Sequence, residues 1–196
     1  AMEVILNNMP GDTIYSATTG RATRELFFLR EKRGETKAHD FLNVGSMGHA
    51  SSVALGIALE KTERKVVALD GDSACMMHMG AMTMVSKLDA PNFMHVVLNN
   101  GSHESVGGQP SAGHKVDFTK IAEACDYATV GHPVTTEVEL VEALEVLRDC
   151  GKASFIDCRI HKGLSRKLPP VIFDHREVID ALIDDLNESR IIMDNK

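Results

Sequence analysis

The chain has 196 residues, of which 43% are hydrophobic and 25% are charged, with a formal net charge of -7. These values indicate a single soluble globular domain, and the acidic balance argues against a nucleic-acid partner, since binding to phosphates needs a basic face. No apolar run approaches the roughly 20 residues that span a bilayer, so no membrane partner is expected. The 4 cysteines contain no C-x-x-C pair, which favours reduced thiols in a cytoplasmic protein over a disulfide or zinc framework.

Apolar periodicity and turn residues predict alternating helices and strands. In chain order the predicted elements are a helix over 2–9, a strand over 14–17, a helix over 23–33, a strand over 41–44, a helix over 49–60, a strand over 66–69, a helix over 74–88, a strand over 96–98, a helix over 118–127, a short strand near 128–130, a helix after Thr136, a strand over 154–158, a loop over 162–174 and a final helix. The glycine-rich stretch 101–116 is predicted to be a functional loop. This alternation predicts an α/β fold in one domain over 1–196, a doubly wound and mostly parallel sheet with helices on both faces.

The stretch 64–102 carries the first functional signal. Two short β-branched strands joined by one helix form a βαβ unit, whose right-handed crossover brings the carboxyl ends of both strands to one edge of the sheet. Asp72 and Asn100 follow these strands and are therefore expected side by side at the ligand-binding edge. A carboxylate and an amide oxygen suit a hard cation such as Mg²⁺. The start of the predicted helix over 74–88 favours a phosphate beside that cation.

The order and spacing of these residues resemble a known signature. Gly71-Asp72-Ser73, twenty-five further residues and Asn99-Asn100 are similar to the motif of enzymes that bind thiamine diphosphate through magnesium, with Ser73 in place of the usual Gly. The stretches 45–50 and 99–110 narrow the resemblance to the phosphonopyruvate decarboxylases, with the sulfopyruvate decarboxylases as close kin. The resemblance covers about 18 to about 162. It implies thiamine diphosphate and Mg²⁺ as cofactors and the decarboxylation of a 2-oxo acid as the activity.

The resemblance also implies roles for individual residues. Mg²⁺ would be bound by Asp72, Asn100 and the backbone carbonyl of Ser102. The carbonyl of Gly45 would accept a hydrogen bond from the aminopyrimidine of the cofactor, and Met47 would hold the cofactor in a bent form. The other residues implied to contact the cofactor are Thr18, Thr19, Gly20, Ser46, Gly71, Ser73, Ala74 and His103. Three residues are expected to take part in catalysis, namely Gly45, Met47 and His103.

Ordinary structural roles compete with these functional ones. Asp72 and Asn100 could merely cap a helix and a turn, and Met47 could be core filler. A phosphonate or sulfonate on the substrate would need hydrogen-bond donors. The candidates in loops near this edge are His103, Gln109, Lys115 and Lys162, for which a solvated surface position is the commoner role. The methionines between 76 and 84 are interpreted as core packing.

The resemblance further indicates a missing part. Family members need a glutamate that holds N1′ of the pyrimidine, and it comes from a separate domain of a neighbouring chain. No remaining segment of this sequence is long enough to be that pyrimidine-binding domain, so we expect a separate subunit or another part of a longer chain to supply it, and we expect homo-oligomers. The favoured reaction converts 3-phosphonopyruvate to phosphonoacetaldehyde and CO₂. The alternatives are a sulfopyruvate decarboxylase subunit and a non-catalytic doubly wound nucleotide-binding domain, although no G-x-G-x-x-G follows a strand.

Overall fold

The computed structural model describes residues 1–163, 168 and 174–193, the last five by their backbone alone. Its main sheet contains five parallel strands in the order β2-β1-β3-β4-β7. These strands are β1 (Ile14–Ala17), β2 (Asp40–Leu42), β3 (Val66–Gly71), β4 (Phe93–Asn99) and β7 (Ser154–Arg159). A second, two-stranded antiparallel sheet pairs β5 (Ser102–His103) with β6 (Gln109–Pro110).

Helices cover both faces of the main sheet, which confirms the predicted fold class. The α-helices are α1 (Met2–Asn8), α2 (Arg21–Arg33), α3 (Ala50–Glu60), α4 (Asp72–Met77), α5 (Phe118–Ala124), α6 (Glu137–Arg148) and α7 (His175–Met193). Residues of α1, α2 and α6 pack on one face, in a core that includes Leu26, Leu144 and Val67. Residues of α3, α5 and α7 pack on the other face, in a core that includes Ala54, Phe118 and Val66. Neighbouring residues of β3 thus enter opposite cores, as the alternation of side chains along a strand requires.

The predicted helix over 74–88 is wrong in its extent. The chain forms the six-residue helix α4, breaks at His78 and continues as a 3₁₀ helix over Met79–Ser86. His78 has φ -129° and ψ 37°, which is not helical, and Gly80 is among the poorest helix formers. The α-helix that the Met- and Ala-rich composition suggested therefore ends about one turn after its predicted start.

Two smaller predictions also need correction. The short strand expected near 128–130 is reduced to one bridge between Ala128 and Ser154. The stretch 101–116 is not wholly irregular, because it contains β5, β6 and a 3₁₀ turn at Glu104–Val106. The loop expected over 162–174 lies largely outside the described residues.

Helix α6 begins with a capping box. The Thr136 side chain accepts a hydrogen bond from the backbone N–H of Glu139, and the Glu139 side chain accepts one from the backbone N–H of Thr136. Among the described helices, none combines the length and the apolar character that a membrane crossing would need.

Candidate cofactor site

The order of the strands determines where a ligand can bind. From β1 the chain moves outward to β2 and then returns to β3 on the other side of β1. In an open parallel sheet such a reversal opens a crevice at the carboxyl ends of the two strands concerned. The loop after β1 carries Thr18, Thr19 and Gly20, and the residue after β3 is Asp72. These predicted site residues therefore border the crevice.

Backbone hydrogen bonds hold the loops after β1, β2 and β3 together. The N–H of Thr18 donates to the carbonyl of Leu69 in β3 at 2.8 Å. The N–H of Gly45, in the loop after β2, donates to the hydroxyl of Thr19 at 3.0 Å. The structure thus brings Thr18, Thr19 and Gly45 into one cluster, although 26 positions or more separate Gly45 from the other two by count along the chain.

Two buried side chains that the sequence did not single out support this cluster. The hydroxyl of Thr23, in the first turn of α2, donates to the carbonyl of Thr18 at 2.8 Å. The side-chain amide of Asn43 donates to the carbonyl of Ala17 at 2.9 Å. Neither residue belongs to the motif, and no local sequence signal identifies them, because both bonds join segments that meet only in the folded chain.

The segment 45–48 has an unusual backbone. Gly45, Ser46 and Gly48 have φ values of 84°, 45° and 89°, in the region that favours glycine. A Cβ on Gly48 would lie 2.4 Å from Nδ1 of His78 and 2.8 Å from the carbonyl oxygen of Ala74. Gly48 therefore lets this loop pack against α4. Met47 is half-buried beside it, while Gly45 and Ser46 are exposed.

Asp72 begins α4 directly after β3 and is buried, together with Ser73 and Ala74. Its carboxylate oxygen Oδ2 accepts a hydrogen bond from the hydroxyl of Ser111. Gly71, the last residue of β3, pairs with Leu98 of β4, so Asp72 lies beside the end of β4, where Asn99 and Asn100 follow. Proximity of the two motif halves thus follows from the register of neighbouring strands.

The end of β4 forms a tight turn. The side-chain oxygen of Asn100 accepts a hydrogen bond from the N–H of Ser102 at 3.0 Å. Asn99 is fully buried, and its side-chain oxygen accepts one from the N–H of Gly101 at 3.2 Å. Both motif asparagines therefore shape the backbone that would present the Ser102 carbonyl to a cation.

The hairpin of β5 and β6 lies next to the loop after β1. Arg21 forms an ion pair with Glu104 at 3.2 Å and donates to the Glu104 backbone carbonyl at 3.1 Å. His103, half-buried in β5, pairs in register with the exposed Gln109 of β6. Four loops thus meet at one edge of the sheet.

Two of the predicted substrate donors line cavities beside β7. Lys115 lines a cavity of about 430 Å³ together with His114 and Arg159. Lys162 lines a second cavity, of about 560 Å³, with Arg159 and Thr136. Both cavities lie on the β7 side of the sheet, and neither is lined by a residue of the loops after β1, β2 or β3.

The chemistry of this edge fits a diphosphate. Six hydroxyl oxygens are buried without a hydrogen-bond partner in the part of the chain that the structure describes, and three of them, those of Thr18, Ser73 and Ser102, belong to this edge. A buried hydroxyl without a partner costs free energy, so it commonly marks a place where a ligand, an ion or a water molecule completes the bond. All three belong to residues for which the motif implies contact with the cofactor or its metal.

The edge also fits a hard cation. Within the described residues no group of three or more His, Cys, Asp or Glu side chains could hold a metal. The available donors are instead the Asp72 carboxylate, the Asn100 amide oxygen and a backbone carbonyl. Mg²⁺ commonly takes one or two carboxylates and completes its octahedron with phosphate oxygens and water.

Two ionisable side chains beneath this edge of the sheet are buried. Burial raises the pKa of the Cys75 thiol far above its usual range, and the Asp70 carboxylate adds to the shift. Burial also raises the pKa of Asp157, while the hydrogen bond from Asn99 opposes that effect. Cys75 therefore stays a neutral thiol and takes no part as a nucleophile.

Comparison with known proteins identifies the class. Residues 18–158 match the family described as "Thiamine pyrophosphate enzyme, C-terminal TPP binding domain". The chain belongs to this family. Curated proteins that this chain resembles are named decarboxylases.

The curated relatives of the chain include two kinds of decarboxylase. The chain is 39% identical over 144 residues to phosphonopyruvate decarboxylase of Streptomyces viridochromogenes, across 74% of this chain and 34% of that protein. It is 31% identical over 175 residues to sulfopyruvate decarboxylase subunit beta of Methanothermobacter thermautotrophicus, across 89% of this chain and 88% of that protein. The chain thus spans about a third of the length of the two Streptomyces phosphonopyruvate decarboxylases it matches, 34% and 31%.

Solved structures agree on the fold. The thiamine diphosphate-dependent 4-hydroxybenzoylformate decarboxylase of Rhodococcus jostii RHA1 superposes with a TM-score of 0.64 at 18% identity, over 82% of this chain and 32% of that one. At this identity the likeness concerns the fold alone.

Proposed function

We propose that the chain is the diphosphate- and magnesium-binding half of a decarboxylase that converts 3-phosphonopyruvate to phosphonoacetaldehyde and CO₂. The observation that carries this proposal is the set of unpartnered buried hydroxyls of Thr18, Ser73 and Ser102 at the edge that also holds Asp72 and Asn100. Identity of 39% to a phosphonopyruvate decarboxylase supports the choice of substrate.

The residues of this chain would divide the work of binding. Asp72, Asn100 and the Ser102 carbonyl hold Mg²⁺. The hydroxyls of Thr18 and Ser73 donate to the diphosphate, which replaces the hydrogen bonds they lack within the chain. When bound, thiamine diphosphate supplies the electron sink for the bond that releases CO₂.

The loop after β2 would orient the other end of the cofactor. Gly45 is exposed next to Thr19, with its carbonyl available to accept a hydrogen bond from an aminopyrimidine. Met47 is half-buried and offers an apolar surface against which the cofactor bends. His103 is half-buried in β5 and would contribute a donor close to the same edge.

The pyrimidine side of the site is proposed to come from a second domain or subunit that carries the glutamate for N1′, within a cytoplasmic oligomer. Without that partner we expect no turnover of phosphonopyruvate at an ordinary enzymatic rate, on the order of 1 s⁻¹ or faster. Adding a pyrimidine-binding domain or subunit in trans should restore it. Turnover at that rate by the purified chain alone would contradict the division of the site.

Cofactor binding can be tested on the chain by itself. Calorimetric titration should show weak binding of thiamine diphosphate that requires Mg²⁺ and that Asp72→Asn removes. Asp117→Asn is the matched control, because Asp117 is an exposed N-cap of α5 and asparagine caps equally well. Equal binding by wild type and Asp72→Asn would contradict the proposed metal site, and binding of NAD instead would favour a nucleotide-binding domain.

Sulfopyruvate is a second candidate substrate. The specific observation in its favour is that the match to the methanogen subunit covers 88% of that protein. The two substrates should be competed over the chain mixed with a pyrimidine-binding subunit, with the Asp72→Asn mixture as the blank. A clear preference for sulfopyruvate would overturn the first choice of substrate and leave the cofactor assignment standing.

A further inference from the structure

Asp157 is a buried carboxylate that none of the site assignments above includes. It lies in β7, where it pairs in register with Val97 of the neighbouring strand β4, and its side chain is fully shielded from solvent. Its oxygen Oδ1 accepts a hydrogen bond of 3.0 Å from the side-chain amide of Asn99. Asp157 therefore reaches the end of β4 from the adjacent strand.

Both polar atoms of the Asn99 side chain form hydrogen bonds. Its amide nitrogen donates to Asp157 and also to the carbonyl of Gly113 at 2.9 Å, and its oxygen accepts from the N–H of Gly101 at 3.2 Å. A carboxylate and a carbonyl can only accept, and an N–H can only donate. One orientation of the Asn99 amide satisfies all three neighbours, and the opposite orientation satisfies none of them.

Asp157 helps to fix the orientation of the Asn99 amide, but its own burial costs free energy of folding. Its second oxygen, Oδ2, has no hydrogen-bond partner among the described residues and lies 3.7 Å from Nε of Arg159. Burial of a carboxylate with incomplete partners is unfavourable, because the cost of desolvating the charge is only partly offset. The acceptor oxygen that Asp157 presents here is thus better explained by the orientation of Asn99 than by stability.

We propose that Asp157 is a positioning residue for the metal site. By orienting the Asn99 amide it holds Gly101, and with it the turn that places Asn100 and the Ser102 carbonyl beside Asp72. The inference rests on the proposed function for its ligand, although the hydrogen-bond arrangement exists in the chain without any ligand.

The experiment compares Asp157→Leu, Asp157→Asn and a control, Phe155→Leu. Asparagine keeps the acceptor oxygen and leucine removes it. Phe155 is buried two residues earlier on the same face of β7, so its replacement disturbs the core without touching Asn99. Mn²⁺ affinity in the presence of thiamine diphosphate, read by electron paramagnetic resonance, reports the metal site, and amide exchange of Gly101 in the cofactor-free chain reports the turn.

Asp157→Leu should weaken Mn²⁺ binding by about 10–100-fold, the usual effect of removing a group that orients a ligand. It should speed exchange of the Gly101 amide. Asp157→Asn should retain wild-type Mn²⁺ affinity. Phe155→Leu should lower the melting temperature and leave both other readouts unchanged. Unchanged Mn²⁺ affinity and unchanged Gly101 exchange in Asp157→Leu would overturn the proposal, as would an equal loss of affinity in Phe155→Leu.

A reciprocal exchange covers the case in which Asp157→Leu does not fold. Asn99→Asp places two acceptors face to face and should weaken Mn²⁺ binding. Combining it with Asp157→Asn returns a donor to the pair, so part of the affinity should recover. No recovery would contradict the proposal. If wild type binds neither Mn²⁺ nor thiamine diphosphate, the proposed function fails, while Gly101 exchange still decides whether Asp157 positions the turn.

Discussion

Replacement of Gly113 by alanine offers a direct test of how tightly the loop after β6 packs on the Asp72 carboxylate. A Cβ on Gly113 would lie 2.2 Å from Oδ2 of Asp72 and 2.5 Å from Oδ1 of Asn99. Ordinary van der Waals contact begins at 3.4 Å, so one of the partners must move by about 1.2 Å. Neither oxygen belongs to a flexible, exposed side chain, because both residues are buried and hydrogen-bonded.

The expected cost of Gly113→Ala is therefore that of overpacking, about 1–3 kcal/mol. For a chain of this size each kcal/mol lowers the melting temperature by about 2–4 °C. Because the displaced group is the Asp72 carboxylate, binding of thiamine diphosphate in the presence of Mg²⁺ should weaken as well. Thermal unfolding and calorimetric titration measure the two effects.

Gly56→Ala is the matched control. Gly56 lies in α3, is exposed, and has no atom within 4 Å of an added Cβ. Alanine there should stabilise the chain by about 0.5–1 kcal/mol, since glycine is a poor residue for a helix interior. If Gly113→Ala proved as stable as wild type and bound the cofactor equally well, the packing described for this loop would be incorrect.

Three further outcomes are expected. Arg30→Met should lower the free energy of unfolding by about 3–5 kcal/mol in urea titration, because Arg30 donates two 3.0 Å hydrogen bonds to the fully buried carboxylate of Asp40 and its loss leaves that charge unpaired. The control is Arg30→Met combined with Asp40→Leu, which should recover stability. A loss below about 1 kcal/mol in Arg30→Met would refute the argument. Thr136→Ala should cost about 0.5–2 kcal/mol through loss of the α6 cap, with Thr136→Ser near wild type. Alkylation at pH 8 followed by mass spectrometry should label the exposed Cys150 and spare Cys158, whose pKa burial raises to about 11, and rapid labelling of Cys158 would contradict its burial.

The main sheet could be predicted from the sequence, because the patterns that indicate its strands and helices are local. The strand expected over 14–17 is the observed β1, and the cap at Thr136 follows from a side chain and a backbone N–H three residues apart. The alternation of strands and helices leaves few topologies once crossovers are right-handed. Local pattern and handedness together were sufficient for the fold class.

The break in the predicted helix over 74–88 could not be found in the same way. Methionine and alanine favour a helix there, and one glycine at 80 does not exclude it. The fold instead packs Gly48 against the Ala74 carbonyl and the His78 ring, 26 and 30 positions away by count along the chain. Local propensity is overridden by this tertiary contact, which no local pattern encodes.

The same reasoning explains which part of the site the sequence left out. The motif specifies Asp72 and Asn100 through the ends of two neighbouring strands, whose register brings them together. The bond between Asn99 and Asp157 joins residues 58 positions apart, and its partner strand reaches β4 only after two further helices have been placed. Residues that would touch the ligand follow strand ends and are visible as a pattern. Residues that orient them are defined by adjacency in the sheet, so their identification required the strand order.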